Sequence, residues 1–168
     1  MRAGRTYNDR VDFDRVLQVL GALTAQQVDY VLIGDAAVNL HGLVRGTEDI
    51  DVFVRPEPTN IARLRAALRS VWADPHIDEI TAEDLCGDYP AICYGPPDGT
   101  LSLDILTRLG TAWSYDDLEA EWIEQDGVRI HIATPRTLIR MKEGTVRPID
   151  QADVRALRRL LVDEGSTS

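Results

Sequence analysis

Tyr30 to Val54 reads YVLIGDAAVNLHGLVRGTEDIDVFV, and this stretch decides the fold. Tyr30-Val31-Leu32-Ile33 is a short, unbroken apolar run, the pattern of a buried strand. Gly34 ends it. Ala36 to Leu40 then reads as a short helix that stops near Gly42. Ile50 to Val54 alternates with acids and reads as a second strand. Side chains alternate faces along a strand, so Asp49 and Asp51 project from one face. Ile50, Val52 and Val54 point the other way, into a core.

Two carboxylates held side by side repel each other, at a cost in stability unless a cation sits between them. Hard divalent ions take oxygen ligands of this kind. Asp104 has a similar setting, as the one acid inside Leu101-Ser102-Leu103-Asp104-Ile105-Leu106. An acid in so apolar a strand is seldom a surface accident. If this strand lies beside Ile50–Val54, Asp49, Asp51 and Asp104 form a two-metal site. Gly34 stands at a strand-to-helix turn, where backbone N–H groups are free and a ligand can approach closely. A phosphate cradle beside paired carboxylates points to a nucleoside triphosphate with magnesium.

Working outward, Asp12 to Gln27 has helical spacing at Phe13, Val16, Leu17, Leu20 and Leu23. Pro56 and Pro58 close the second strand, and Ile61, Leu64, Leu68, Val71 and Trp72 mark the next helix. Ala91–Tyr94 and Leu101–Leu106 read as strands joined across Gly95-Pro96-Pro97-Asp98-Gly99. Glu121–Glu124 and Val128–Ile132 flank Asp126-Gly127, a strong hairpin signal. Thr134 and Pro135 open a helix through Met141, as N-cap and first helical residue. Ile149 to Val162 is the final helix. The order implies one α/β (α+β) domain over residues 1–168, a mixed sheet with helices packed on it, frayed at 1–10 and 165–168.

Composition agrees with a globular chain: 44% of residues are hydrophobic and 27% charged. No apolar run approaches the roughly 20 residues of a membrane helix, and no signal peptide is visible. Cys86 and Cys93 match no zinc or redox spacing. The expected setting is reduced and cytoplasmic, with no membrane partner. Asp and Glu number 28 against 18 Lys and Arg, a net charge of −10. So acidic a surface repels nucleic acid at long range, although Arg136, Arg140, Lys142 and Arg147 could form a local basic patch.

The pattern of apolar strand, Gly, short helix and Asp-apolar-Asp resembles the nucleotidyltransferase superfamily that includes DNA polymerase β. It is closest to the small bacterial nucleotidyltransferases of the minimal and AbiEii-toxin type. Their first block is matched by Gly34, His41-Gly42, Arg45, Thr47, Asp49 and Asp51. Their second block is matched by Leu138-Ile139-Arg140-Met141-Lys142-Glu143-Gly144 and by Arg147-Pro148-Ile149-Asp150-Gln151-Ala152-Asp153. The resemblance runs from about Val28 to Leu161.

It implies a polymerase-β-like fold and transfer of a nucleoside monophosphate from a triphosphate such as ATP to an acceptor hydroxyl. Two Mg²⁺ ions, with Mn²⁺ as an alternative, would lie on Asp49, Asp51 and Asp104. Gly34, Asp35, Arg45, Thr47 and Lys142 would contact the nucleotide. The acceptor would be an RNA 3′ end (tRNA in toxin members), a partner protein, or a small molecule such as an aminoglycoside or lincosamide. A toxin role would bring a cognate antitoxin.

One position departs from the family. Gly-Gly or Gly-Ser is usual where this chain has Gly34-Asp35, and a carboxylate there opposes a triphosphate. That favours a second reading, a weak or inactive fold member that only binds. Asp35 could instead cap the short helix. Other positions also have plainer readings. Lys142 could simply favour a helix C-terminus, and Arg147, Asp150 and Asp153 could form a structural ion-pair network. Arg45 could pair with Glu48, and His41 could close its helix. His76 and His131 carry no signal. Trp72, Trp113 and Trp122 read as packing residues, and Arg155, Arg158 and Arg159 as a solvated helix face.

Overall fold

The computed structural model describes residues 2–42, 49–99, 101–143 and 148–167. In chain order these form α1 (Arg2–Ala25), β1 (Tyr30–Ile33), α2 (Gly34–Leu40), β2 (Asp49–Val54), α3 (Pro58–Val71), α4 (Ala82–Leu85), β3 (Ala91–Tyr94) and β4 (Ser102–Leu106). There follow β5 (Arg108–Leu109), β6 (Trp113–Ser114), β7 (Ala120–Gln125), β8 (Val128–Ala133), α5 (Pro135–Glu143) and α6 (Pro148–Thr167). Short 3₁₀ turns occupy Pro75–Glu79 and Tyr115–Asp117.

Six strands make one mixed sheet in the order β3-β4-β2-β1-β8-β7, and β5 with β6 form a separate small hairpin. β1 runs antiparallel to β2 and parallel to β8. β2 runs parallel to β4, and β3 closes that edge antiparallel to β4. The mixed α/β architecture expected from the element order is the one observed. β1 lies inside the sheet with every residue buried, which is why its sequence is a continuous apolar run rather than an alternation.

Ile50, Val52 and Val54 are fully buried in the same cluster as Leu32, Leu103 and Ile105. α1 packs on α3 and on β8, and Leu20, Leu23, Ile61, Leu64 and Leu68 join that core. Phe53 shares its strand face with Asp49 and Asp51 yet is also fully buried. The carboxylate face is therefore covered beyond Asp51 and open only toward the start of β2.

Side-chain bonds pin the ends of these strands. Asn60, buried at the start of α3, accepts from Asp29 N at 2.7 Å and donates to the carbonyls of Asp29 and Arg55 at 3.0 Å. One amide thus holds the start of β1 beside the end of β2. The Asp126-Gly127 turn has φ of 51° and 82°, the two left-handed residues of a tight hairpin. Thr134 caps α5 by accepting from Thr137 N at 3.2 Å.

The differences from the sequence reading have physical causes. α1 begins at Arg2, well before the first apolar period, and α6 reaches Thr167. The 3₁₀ turn at Pro75–Glu79, α4 and the β5–β6 hairpin are each too short to show a period. Among the described residues no helix is long and apolar enough to cross a membrane.

Candidate active site

Strand register brings the acids together. β2 and β4 pair Asp49 with Ser102 and Asp51 with Asp104. Partners in register on neighbouring strands point to the same face about 4.8 Å apart. β3 adds Cys93 opposite Asp104, and β1 adds Ile33 opposite Asp51. Asp49 is exposed, while Asp51 and Asp104 are half-buried.

The electrostatics follow from that packing. Burial is the largest effect on Asp51 and pushes its pKa up to about 7. A hydrogen bond with Asp104 and the charges of Asp104, Asp49 and Asp35 add to the rise. Two carboxyls in contact resist double ionisation, which is part of why Asp51 is the harder to ionise. The Cys93 thiol is also raised, first by its hydrogen bond with Asp104. A thiol so placed is a poor nucleophile. Cys93 was not singled out in the sequence, although its strand phase opposite Asp104 is the signal that could have found it.

Gly34 has φ +72°, the left-handed region that favours glycine. A Cβ there would overlap Asp51 Oδ2 and lie 3.1 Å from Asp51 Cγ. The space that the sequence reading gives to a phosphate is therefore, in this structure, the space that admits the Asp51 carboxylate. Gly34→Ala should cost about 3 kcal/mol, combining left-handed strain with forced repacking. Urea denaturation reads this directly, and a loss below about 1 kcal/mol would mean that Asp51 is free to move aside.

Asp35 does not cap α2. The N-cap is Ile33, with no side-chain bond. Asp35 stands in the first turn, half-exposed, with Oδ1 3.7 Å from Lys142 Nζ. Lys142 is not a solvated helix-end residue either, nor part of an exposed basic patch. Its side chain is 10% exposed and also meets Asp150 Oδ1 at 2.9 Å and Asp153 Oδ2 at 3.1 Å. Both of those carboxylates are buried on α6. Asp150 and Asp153 pair with Lys142, a cation that the sequence reading did not place with them. Arg147, Arg45 and Thr47 lie outside the described residues.

The remaining candidates are structural. His41 closes α2 and bonds the Ala133 carbonyl through Nε2 at 2.8 Å. His131 bonds the Tyr30 carbonyl and stacks on Trp122. His76 pairs with Glu79. Trp72 is buried and donates Nε1–H to Asp98 at 2.9 Å, and Arg15 pairs with the same carboxylate. Asp98 thereby holds the β3–β4 turn at the end of the sheet where Asp49 lies. Trp113 is half-buried beneath the Arg140 guanidinium. Arg155, Arg158 and Arg159 are exposed.

Among the described residues, Asp49, Asp51 and Asp104 offer hard oxygens beside the Cys93 thiol, and the half-buried Asp51–Asp104 pair carries a repulsion that a divalent cation would relieve. That chemistry fits Mg²⁺ or Mn²⁺. Among the described residues, no three acidic, thiol or imidazole groups converge as a ready-made cation cage. Cation binding would have to draw the carboxylates together.

No family model matches this chain, and no curated protein matches it. Among solved structures, one similar chain is described as an antigenic nucleotidyltransferase-like protein from Paracoccidioides brasiliensis. It is 17% identical, with a TM-score of 0.57 over 87% of this chain and 75% of that one. At that identity the likeness concerns architecture alone.

Proposed function

We propose that the protein is a metal-dependent nucleotidyltransferase, moving a nucleoside monophosphate from a triphosphate to an acceptor hydroxyl. The observation that carries this is the Asp51–Asp104 pair, in register on parallel strands at the open end of a nucleotidyltransferase-like sheet. Asp49, Asp51 and Asp104 would hold Mg²⁺ or Mn²⁺. When bound, the ions supply neutralisation of the phosphates and a lowered pKa for the acceptor hydroxyl.

The chain's own part is positioning. Two hydrogen-bonded strands keep the carboxylates in register, and Gly34 leaves room for Asp51. The acceptor oxygen bonds the α-phosphorus, the α–β bridge breaks, and pyrophosphate leaves. Asp104, on the open face, takes the hydroxyl proton. Such chemistry is mostly alignment and charge compensation. The acceptor classes are those the resemblance implies: an RNA 3′ end, a protein, or a small hydroxylated molecule. A toxin with a cognate antitoxin is one biological setting, tested by growth arrest on expression.

The presence of Asp35 on this face favours the second reading, a module that binds without transfer. Thermal unfolding with Mg²⁺ and each nucleoside triphosphate separates the function from a bare scaffold. At a hundredfold excess over Kd the nucleotide should stabilise the fold by about 2.7 kcal/mol, only when metal is present. No metal-dependent gain with any triphosphate would reject the proposal. A gain without pyrophosphate release in the presence of RNA, protein and small hydroxylated acceptors would favour the binding module.

A further inference from the structure

Lys142 is held unevenly. On the α6 side it meets Asp150 and Asp153, whose side chains are 2% and 0% exposed. On the α2 side it meets Asp35, whose side chain is 53% exposed. Lys142 donates to Asp150 Oδ1 at 2.9 Å and forms an ion pair with Asp153 Oδ2 at 3.1 Å. The 3.7 Å contact with Asp35 is beyond hydrogen-bonding range, a charge contact only. With its carboxylate half in solvent, Asp35 is the weaker restraint, whereas a buried ammonium taken from buried carboxylates leaves uncompensated charge. If the cluster opens, Asp35 moves and Lys142 stays.

The charge of Asp35 also acts on Asp51. Asp35 directly follows Gly34, whose backbone abuts the Asp51 carboxylate, and its other neighbour is Lys142, so phosphates reaching from that face to the lysine would meet it. We propose that the Asp35 carboxylate is an internal placeholder for a polyphosphate anion on Lys142, so that ligand and the Asp35–Lys142 pair exclude one another. This rests on the nucleotide-binding reading above and adds a regulating residue to it. Ligand entry has to displace Asp35 from Lys142, which lowers affinity and loosens α2 from α5.

Lys142 is the sole lysine of the chain, so protein labelled with ¹³C and ¹⁵N in lysine gives one side-chain signal. That signal can be followed by NMR while inorganic tripolyphosphate is added without metal, to the wild type and to Asp35→Asn. Asp35 is half-exposed and its loss should leave the fold intact. The expected result is a Lys142 signal that moves on titration in both proteins. The midpoint should be about three- to tenfold lower in Asp35→Asn at low salt, with a smaller gap at high salt. An equal or higher midpoint in Asp35→Asn, or a Lys142 signal unmoved by the anion in both proteins, would overturn the proposal. The titration uses neither metal nor acceptor. Failure of nucleotide transfer alone would leave the placeholder standing, and a null titration beside working transfer would remove only the placeholder.

Discussion

Asp51→Asn should abolish nucleotide transfer and, in the metal-free protein at pH 8, raise stability. The two effects share a cause. Asp51 has its pKa raised to about 7, first by burial and then by Asp104. In the unfolded chain the same group titrates near 4. Below pH 4 it is protonated in both states, and its burial carries no charge penalty. Between about pH 4 and 7 the folded state holds more protons than the unfolded state, so stability falls as pH rises. Above pH 7 the full penalty is present.

A three-unit shift sets a ceiling of about 4 kcal/mol, which solvent on the open side of the face reduces to about 1–3 kcal/mol. Asparagine keeps the shape and removes the charge. Its melting temperature should exceed that of the wild type at pH 8 and converge with it near pH 4. Equal melting temperatures at pH 8, or transfer activity retained, would show that Asp51 is an ordinary solvated acid.

Lys142→Met should act in the opposite direction. Asp150 and Asp153 are both buried, and each lies within 3.1 Å of the Lys142 ammonium. Methionine fills much of the same space and leaves two buried carboxylates without that cation. Breaking a buried pair in this way costs about 3–5 kcal/mol, a large share of a domain's total stability. Lys142→Arg keeps the charge and should lose less. Urea midpoints for the three proteins at pH 7.5 decide the matter. A Lys142→Met protein as stable as the wild type would mean that α5 and α6 are not joined through this lysine.

The fold was legible where the local signal was complete. β1 was an unbroken apolar run, β2 an alternation, and the β7–β8 hairpin was announced by Asp126-Gly127. The face shared by Asp49 and Asp51 followed from strand phase alone. That Asp104 joins them needed one further fact, the placing of β4 directly beside β2 with β3 outside it. Strand order is set by long-range packing and is not written in any local period. The same limit hid the Asp35–Lys142 contact, which joins an early helix to a late one. From the sequence Asp35 had two local readings, cap and phosphate repellent. Its partner across the fold, Lys142, takes the place of the first. α1 was longer than its apolar period because the helix already runs from Arg2, through a stretch whose sequence carries no apolar repeat.

On the proposed reading, the face formed by Asp49, Asp51 and Asp104 receives metal and nucleotide. The most direct measurement is an anomalous-scattering map from crystals grown with Mn²⁺ and a non-hydrolysable nucleoside triphosphate. Manganese should appear about 2.1 Å from the Asp51 and Asp104 carboxylates, with the nucleotide phosphates beside it and the Asp51–Asp104 hydrogen bond broken. Nucleotide bound elsewhere, or a face without manganese on which Asp51 and Asp104 remain hydrogen-bonded, would contradict the assignment.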